Sequence, residues 1–437
     1  MDYSKKQQKR EEVAKGDYTR RRTTSTPRQT YHSPPNTPEI KKSKTTPSNA
    51  RKSNRKKKVP VQTQSTNTRP PKSPPSKQYR NTRSNGLGKT SNHPMSPPKK
   101  RKKKAPIIPL LLLLLLILGG IAFFYLSVTR NLYPDLSGNL KKFGISQEAA
   151  AVAKEHKIVN VAIFGIDARE GLDGSRSDSI MIASADFENG GIHITSLMRD
   201  TLVFSEEEND FDKLNASYAY YGPEGALRTI NQNFDTALTD YVVVDFSCVM
   251  TIVDKVGGVT VNVESQEELD AINFWIQDLN ATLGINIKNL VGLGEQELNG
   301  GQALTYARIR SIGNGDFDRT QRQRVIVEAV VKKAMALSPW DQYQLIQSVL
   351  PYIDTSLSPT ETIKYAFNTL LMPDKSISQN RLPTDNLVDT GFLGDVSYVF
   401  PITLEDNIRE FYAQVYGIDY TPSTTAQNIS TKIDQLW

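Results

Sequence analysis

Arginine is distributed unevenly along the second part of this 437-residue chain. The guanidinium group is a planar fork that binds two phosphate oxygens at once. Its concentration in an acidic region therefore predicts a phosphate-binding site, although any single arginine could instead pair with a surface carboxylate. After residue 104, eight of the twelve arginines lie in short stretches without lysine: Arg169, Arg176, Arg199, Arg308, Arg310, Arg319, Arg322 and Arg324.

Two aspartates flank predicted strands in the same region. Asp167 follows an apolar run at 158–164, and Asp178 precedes another at 179–185. Strand ends line the binding crevice of an open α/β sheet. Carboxylate oxygens, water and phosphate together suit Mg²⁺, so the pair is a candidate metal site. The alternative is that each aspartate serves only a local turn or cap.

A predicted helix starting at Arg319 places further polar side chains on one face. Arg319, Arg322 and Gln323 lie at i, i+3 and i+4 and share one face, which Ile326 continues one turn later. The N-terminal end of a helix also favours an anion. Arg324 projects to another side of the helix and is a weaker candidate.

Alternating strands and helices must position these residues. This alternation predicts an α/β fold with helices on both faces of a central sheet. Strands are predicted at 158–164, 179–185, 192–197, 241–246, 259–263 and 397–402. Helices are predicted at 223–234, 247–256, 299–308, 319–337, 340–352, 359–371 and 404–417.

Charge divides the chain into two opposite parts. Residues 1–104 contain 30 Lys and Arg against five Asp and Glu, whereas the remainder contains 24 against 42. The first part has almost no aliphatic residues and cannot offset its chain entropy by burial, which predicts a disordered basic tail. The tail suits anionic lipids, and nucleic acid is not expected as a partner. Its Ser/Thr-Pro pairs indicate either an extended spacer or sites that kinases phosphorylate.

The uncharged residues 105–129 separate the two parts. As a helix they would rise about 37 Å, enough to cross a bilayer. The basic run just before them predicts a cytoplasmic N-terminus and an extracellular C-terminal domain. A cleaved signal peptide is the competing interpretation, but a lead of 104 residues is too long for one.

The predicted organisation therefore has six parts. They are the disordered cytoplasmic tail 1–104, the transmembrane signal-anchor helix 105–129, a linker 130–157, a catalytic core 158–335, a mainly helical part 336–417 and a C-terminal tail 418–437. The single cysteine, Cys248, excludes an internal disulfide and a cysteine-based zinc site, and it is predicted to be buried. The absence of a Gly-x-Ser-x-Gly elbow leaves serine-hydrolase chemistry without support.

Five ordered motifs between Val159 and Met335 resemble the LytR-CpsA-Psr family. They are Gly165-x-Asp167-x-Arg169, Arg176-Ser177-Asp178-Ser179, Met198-Arg199-Asp200-Thr201, Lys213-Leu214-Asn215-Ala216-x-Tyr218, and Ala307-Arg308-x-Arg310 followed by Gly315-Asp316-Phe317-Asp318-Arg319-x-x-Arg322-Gln323.

The resemblance implies a membrane-bound phosphotransferase with an apolar channel for a polyprenyl chain. Such enzymes move a teichoic acid or capsular polysaccharide from polyprenyl pyrophosphate to peptidoglycan. At matching positions it implies catalytic roles for Asp167, Arg176 and Arg199. It implies pyrophosphate contacts by Arg169, Arg308, Arg310, Arg319, Arg322 and Gln323. It also implies Mg²⁺ as the cofactor, held by Asp167 and Asp178.

The sequence does not decide which residue is the general base, and it leaves two alternative functions open. No histidine lies in a motif, so a carboxylate is the expected base, with Asp167 as one candidate. A pyrophosphatase would use the same site with water in place of the sugar acceptor. A non-catalytic, membrane-anchored regulator of the cell envelope is the alternative without chemistry.

Overall fold

The computed structural model of the protein describes residues 107–130, 132–167 and 176–436. The predicted tail 1–104 and Arg169 lie outside the described residues. The helices are α1 Ile107–Thr129, α2 Leu140–Phe143, α3 Gln147–His156, α4 Leu214–Phe234, α5 Phe246–Lys255, α6 Gln266–Leu283, α7 Gly300–Arg308, α8 Asp316–Ala336, α9 Pro339–Val349, α10 Pro359–Leu371, α11 Leu404–Tyr416 and α12 Thr424–Asp434.

Twelve strands are present among the described residues. They are β1 Ile158–Ile166, β2 Ser177–Asp186, β3 Ile192–Leu197, β4 Leu202–Ser205, β5 Asp210–Lys213, β6 Asp240–Val244, β7 Val259–Val263, β8 Gly294–Leu298, β9 Asp354–Thr355, β10 Ile377–Leu382, β11 Val388–Leu393 and β12 Val396–Pro401.

Six of these strands form the central sheet. Their spatial order is β10-β3-β2-β1-β6-β9. β2 runs antiparallel to both β1 and β3, whereas β6 runs parallel to β1 and β10 runs parallel to β3. The sheet is therefore mixed and helices flank it, which confirms the predicted α/β fold.

Both faces of the sheet are covered by apolar side chains. Ile180 and Ile182 of β2 belong to a large buried cluster that also includes Phe234 of α4 and Phe411 of α11. Met181 points to the opposite face, where it belongs to a smaller cluster packed by side chains of α8. This alternation is the two-residue period of a strand that is buried on both sides.

A further buried cluster lies among α5, α6, α7, α8 and the antiparallel strand pair β7–β8. Its members include Val259 and Leu298 of the strand pair, Ile272 of α6 and Ile326 of α8. Asn299 caps α7 through a capping box with Gln302, which fixes where this helix starts. Helix α8 thus contacts two apolar clusters along its length.

Some helix boundaries differ from the prediction. Helix α8 begins at Asp316, three residues before Arg319, because Gly315 turns the chain at a φ of 58°. Helix α4 begins at Leu214, and the non-helical backbone of Gly222 separates its first segment from the one that Pro223 opens. Helix α5 begins at Phe246, one residue before the predicted start, because Asp245 caps it by accepting a hydrogen bond from the Cys248 amide. Cys248 is buried as predicted.

The segment predicted as a C-terminal tail, 418–437, is folded onto the domain. It contains helix α12, whose Ala426, Ile429 and Ile433 are buried in the large cluster. The period of three to four residues between them is that of a helix with one apolar face. The segment completes the core of the domain.

A buried carboxylate attaches α12 to α4. Asp235, which is 1% exposed, ends α4 and accepts hydrogen bonds from the Tyr420 hydroxyl at 2.9 Å and the Ser423 amide at 2.6 Å. The Tyr412 hydroxyl donates to the Asp235 carbonyl at 2.6 Å. Ser423 is the N-cap of α12, so one aspartate fixes the start of this helix.

The predicted anchor at 105–129 overlaps α1, Ile107–Thr129. The described side chains of α1 are those of residues 115–120, 122–123 and 125–129. Within the part of the chain that the structure describes, no helix has the length and apolar character needed to cross a membrane. The anchor stays a prediction.

Replacing Asp235 by Asn should lower the free energy of unfolding by about 2 kcal/mol, because hydrogen bonds to a charged acceptor are among the stronger ones. Asn keeps the side-chain size and tolerates the left-handed backbone at this position, where φ is 52°. Urea unfolding measures the change. The exposed Asp419→Asn is the matched control, expected within about 0.5 kcal/mol of the wild type. Equal stability of both variants would contradict the role of the Asp235 charge.

Candidate phosphate-binding site

Several strand ends meet at one edge of the central sheet. β1 ends at Ile166, β2 begins opposite it at Ser177, and β3 ends beside the start of β2. Consequently Asp167, Asp178 and Arg199, which lie at or next to these ends, share one edge.

A β-bulge sets the position of Asp178. Gly165 pairs with Ser179 and Ile166 pairs with Ser177, so Asp178 is the extra residue between them. A bulge redirects a side chain that regular alternation would place elsewhere. Ser177, which is fully buried, holds the bulge by donating a hydrogen bond to the Ser179 carbonyl at 2.7 Å.

Asp316 at the start of α8 is the centre of the arginine cluster. Its Oδ2 lies 2.7 Å from Nη2 of Arg319 and 3.7 Å from Nε of Arg199, and its Oδ1 lies 3.3 Å from Nε of Arg310. The helix N-terminus favours a negative charge at this point. Three arginines from three separate segments therefore converge on one carboxylate.

Two further carboxylates complete the cluster. Asp178 forms an ion pair with Nη1 of Arg199, and its Oδ1 lies 3.9 Å from Nη2 of Arg310. Asp200 lies 3.6 Å from Nε of Arg199 and 3.1 Å from Nζ of Lys213. Among these described side chains four cations face three carboxylates, so the cluster is positive by one charge.

The surroundings of Asp316 do not fully stabilise its negative charge. Burial raises the pKa of its carboxyl group, and the neighbouring Arg199 and Arg310 only partly offset this rise. Nε of Arg199 and Nε of Arg319 are buried without a hydrogen-bond partner. Each is therefore a donor that a phosphate oxygen could satisfy.

Arg322 and Arg308 lie on the side of the apolar cluster of α5 to α8. Nε of Arg322 is 3.3 Å from Oε1 of the buried Glu268, and its Nη1 donates to the Ile309 carbonyl at 3.4 Å. The Arg308 guanidinium lies 4.5 Å from the centre of the Phe246 ring, a cation–π contact. These two arginines thus border the Asp316 cluster through other partners.

The remaining predicted residues have different environments. Arg176 is exposed immediately before β2, Gln323 is half-buried on α8, and Asp167 is half-buried after β1. Sequence analysis missed Asp316, Asp200, Lys213 and Glu268 as site residues. Asp200, Lys213 and Asp316 belong to the recognised motifs, and the two aspartates share their motifs with predicted arginines, which was an available signal. Glu268 lies in a helix that was not predicted.

The carboxylates at the sheet edge have the donor chemistry that Mg²⁺ prefers. Asp167 directly follows β1, and Asp178 lies at the start of the neighbouring strand β2. Both side chains remain partly accessible to solvent. A group of three or more His, Cys, Asp or Glu arranged to hold a metal does not occur in the described ranges. Two carboxylates completed by water and phosphate oxygens would not require such a group.

The sequence and fold place the chain in a known family. Residues 131–411 match the sequence model of the LytR_cpsA_psr family. Since this match covers more than half of the chain, the chain belongs to the LytR_cpsA_psr family, and the predicted family is confirmed.

Individual relatives carry names that describe different functions. The polyisoprenyl-teichoic acid--peptidoglycan teichoic acid transferase TagU of Enterococcus faecalis is 28% identical over 295 residues, which are 64% of this chain and 89% of the relative. The regulatory protein MsrR of Staphylococcus aureus is 26% identical over 260 residues, which are 58% of this chain and 74% of the relative.

Solved structures support the fold. The crystal structure of protein gbs0355 from Streptococcus agalactiae has a TM-score of 0.51 and 24% identity, and the match covers 64% of this chain and 93% of that one. At this level of identity the likeness establishes the shared fold.

Replacing Asp316 by Ala should lower the free energy of unfolding by about 3 kcal/mol, because it leaves the charge of Arg319 buried without its carboxylate. Arg319 is only 3% exposed. Arg310→Ala removes a partner whose side chain is 42% exposed, and its effect should stay below about 1 kcal/mol. Thermal or urea unfolding measures both variants. The reverse order of the two effects would show that Arg319 does not depend on Asp316.

Proposed function

We propose that this chain is a membrane-anchored phosphotransferase that moves an anionic glycopolymer, of the teichoic acid or capsular polysaccharide type, from polyprenyl pyrophosphate to peptidoglycan. Membership of the LytR_cpsA_psr family and the teichoic acid transferase activity named for the relative TagU support this function. The observation that carries the proposal is the convergence of Arg199, Arg310 and Arg319 at one edge of the sheet.

The cluster suits a diphosphate on electrostatic grounds. A lipid-pyrophosphate-sugar is a diester with two negative charges, whereas the cluster is positive by one charge and has buried donors on Arg199 and Arg319 without partners. Arginines that already face carboxylates are held in position before the substrate arrives. Preorganised donors of this kind stabilise charge that develops at a transferred phosphoryl group.

The proposed reaction is a substitution at phosphorus. The oxygen of an acceptor sugar hydroxyl attacks the phosphorus that carries the glycan, and the bond from this phosphorus to the bridging oxygen breaks. Polyprenyl phosphate leaves with the bridging oxygen, and the glycan becomes joined to the acceptor through a phosphodiester. A carboxylate accepts the hydroxyl proton, for which Asp167 and Asp316 are the candidates.

The polyprenyl chain would pack against the apolar cluster of α5 to α8. Arg308 and Arg322 stand at the polar border of this cluster, next to Tyr306 and Ile309. A lipid whose pyrophosphate lies among the arginines would then have its apolar chain on that side. Exposed Phe274 and Val291 give the same region an apolar outer surface.

Membrane anchoring forms part of the proposal. Leu115, Leu116 and Phe123 of α1 expose large apolar side chains, and the basic run 99–104 precedes this helix. Lys and Arg on one side of an apolar helix favour retention of that side in the cytoplasm. The Asn368 side chain of α10 donates to the Val128 carbonyl at 3.0 Å, which joins the end of α1 to the domain.

Asp167 and Asp178 would hold one Mg²⁺ together with water and phosphate oxygens. When bound, the ion would neutralise charge on the diphosphate and help to orient it. Arg169, Arg176 and Gln323 are proposed as further contacts to the donor.

Arg199→Gln should reduce transfer by about 100-fold or more, because it removes a charged donor aimed at the transferred group. The assay uses the full chain in detergent, a purified lipid-linked glycopolymer and peptidoglycan, and it measures polymer covalently attached to peptidoglycan. Arg409→Gln removes an exposed arginine on α11 that pairs only with Glu405 and Asp406, and it is the control.

Two outcomes of this assay would contradict the proposal. Release of free phosphorylated glycan by the wild type without any conjugate would indicate a pyrophosphatase. Undiminished attachment by Arg199→Gln would favour the regulatory function that the name of MsrR suggests.

Removal of divalent cations should abolish transfer, and Mg²⁺ should restore it. Asp178→Asn is expected to need a higher Mg²⁺ concentration for half of its maximal rate, because one charged ligand is lost. A titration of rate against Mg²⁺ measures this shift, with the exposed Asp419→Asn as the control. Full activity after treatment with a chelator would rule out the metal requirement while leaving the phosphotransfer proposal intact.

A further inference from the structure

A second polar cleft lies on the other side of α8 from the apolar cluster of α5 to α8. It has a volume of about 440 Å³ and is bordered by the first half of α8, by β10 and the segment after it, and by α11. Its lining is polar apart from Phe317, whose ring is covered by the Arg381 guanidinium at 4.4 Å. The cleft therefore suits a polar ligand rather than a lipid chain.

Arg324 is a buried cation that faces this cleft. It is 9% exposed, and its Nε and Nη1 are buried without a hydrogen-bond partner. Burial and the neighbouring Arg381 lower its pKa to about 10, so it remains charged at neutral pH. An unpaired buried charge is unfavourable, whereas Arg319 and Arg322 on the same helix each have a carboxylate partner. Among the described residues Arg324 forms no ion pair, and Asp385, the carboxylate that acts on it from a distance, is itself paired with Arg381.

Two more buried polar atoms in the cleft are without partners. They are Nδ2 of Asn380 on β10 and Oγ1 of Thr384 just after it. Buried polar atoms in folded proteins are nearly always hydrogen-bonded to protein, water or ligand. Together with Arg324 they form a set of donors from two elements that border one cavity.

The charges around the donors limit what can bind. Asp318, Asp385 and Glu410 also line the cleft, against the two arginines Arg324 and Arg381. Several anionic groups bound in the cleft at the same time would be repelled by these carboxylates. A single anionic group on a carrier with many hydroxyl groups would instead pair with Arg324 and donate hydrogen bonds to the carboxylates.

The cleft is close to the proposed reaction site. Phe317 and Asp318 line it, whereas Asp316 and Arg319 of the same helical turn belong to the phosphate-binding cluster. Arg324 is eight residues beyond Asp316, which is about 12 Å along the helix axis. A saccharide extending from the reaction site along α8 would meet this cleft.

We propose that the cleft between α8, β10 and α11 binds an acidic carbohydrate, whose single anionic group pairs with Arg324. This inference rests on the proposed transfer function and names a subsite of it. The anionic group is a carboxylate if the sugar belongs to an acceptor glycan strand whose muramic acid carries no peptide, and a phosphate ester if it belongs to the donor polymer.

Titration calorimetry with the full chain tests the subsite. The probes are N-acetylmuramic acid, N-acetylglucosamine 6-phosphate and neutral N-acetylglucosamine. The acidic sugars should bind at least about tenfold more tightly than the neutral one, and Arg324→Gln should remove this preference. Tighter binding of the carboxylate assigns the acceptor glycan, and tighter binding of the phosphate ester assigns the donor polymer.

A variant at the mouth of the cleft keeps the test valid if Arg324→Gln does not fold. Gln321 is exposed and lines the cleft, so Gln321→Glu should repel the acidic sugars and weaken their binding about tenfold. Gln347→Glu makes the same charge change at an exposed position of α9 outside the cleft and should have no effect.

Two results would overturn the subsite. They are equal binding of acidic and neutral sugars, and acidic-sugar binding that Gln321→Glu leaves unchanged. Arg199→Gln should keep acidic-sugar binding while losing transfer. A failure of the subsite with normal transfer therefore leaves the proposed function standing, whereas sugar binding without any transfer would contradict the function alone.

Discussion

The arrangement of the site depends on one shared carboxylate. Asp316 holds Arg319, Arg310 and Arg199, which come from α8, from the segment after α7 and from the end of β3. The positive charges of the three arginines repel one another. Without the negative charge of Asp316 between them, their guanidinium groups would move apart. Because Arg319 is buried, its pairing with Asp316 stabilises the fold. The same carboxylate orients the guanidinium groups that would contact a diphosphate.

Helix α8 places three arginines in three different environments. Arg319 turns to Asp316, Arg322 is paired with Glu268 of α6, and Arg324 faces the polar cleft. Arg319 and Arg322 lie on adjacent sides of the helix in successive turns, whereas Arg324, two residues beyond Arg322, projects to the opposite side. A single helix thereby separates a phosphate-binding cluster, an apolar cluster and a polar cleft.

The sequence predicted the features that follow from local pattern. The apolar runs of β1, β2 and β3, and the arginines beside their ends, were sufficient to expect an α/β sheet with a phosphate site at one edge. β10 was missed because its sequence, Ile-Ser-Gln-Asn-Arg-Leu, is polar and becomes a strand only by pairing with β3. Asp316 was missed as a site centre because an aspartate in the first turn of a helix is common for local reasons. The helix in 418–437 was missed because its apolar face is short and needs the core to stabilise it.

The parallel pairing of β10 with β3 has a consequence for biosynthesis. These neighbours are far apart in sequence, so the sheet cannot be completed until the ribosome has made most of the chain. Until then β3 presents an unpaired edge, which is a site for incorrect association with other nascent chains. A shortened chain that ends before β10 would leave this edge permanently unpaired and should aggregate rather than accumulate as a stable smaller domain.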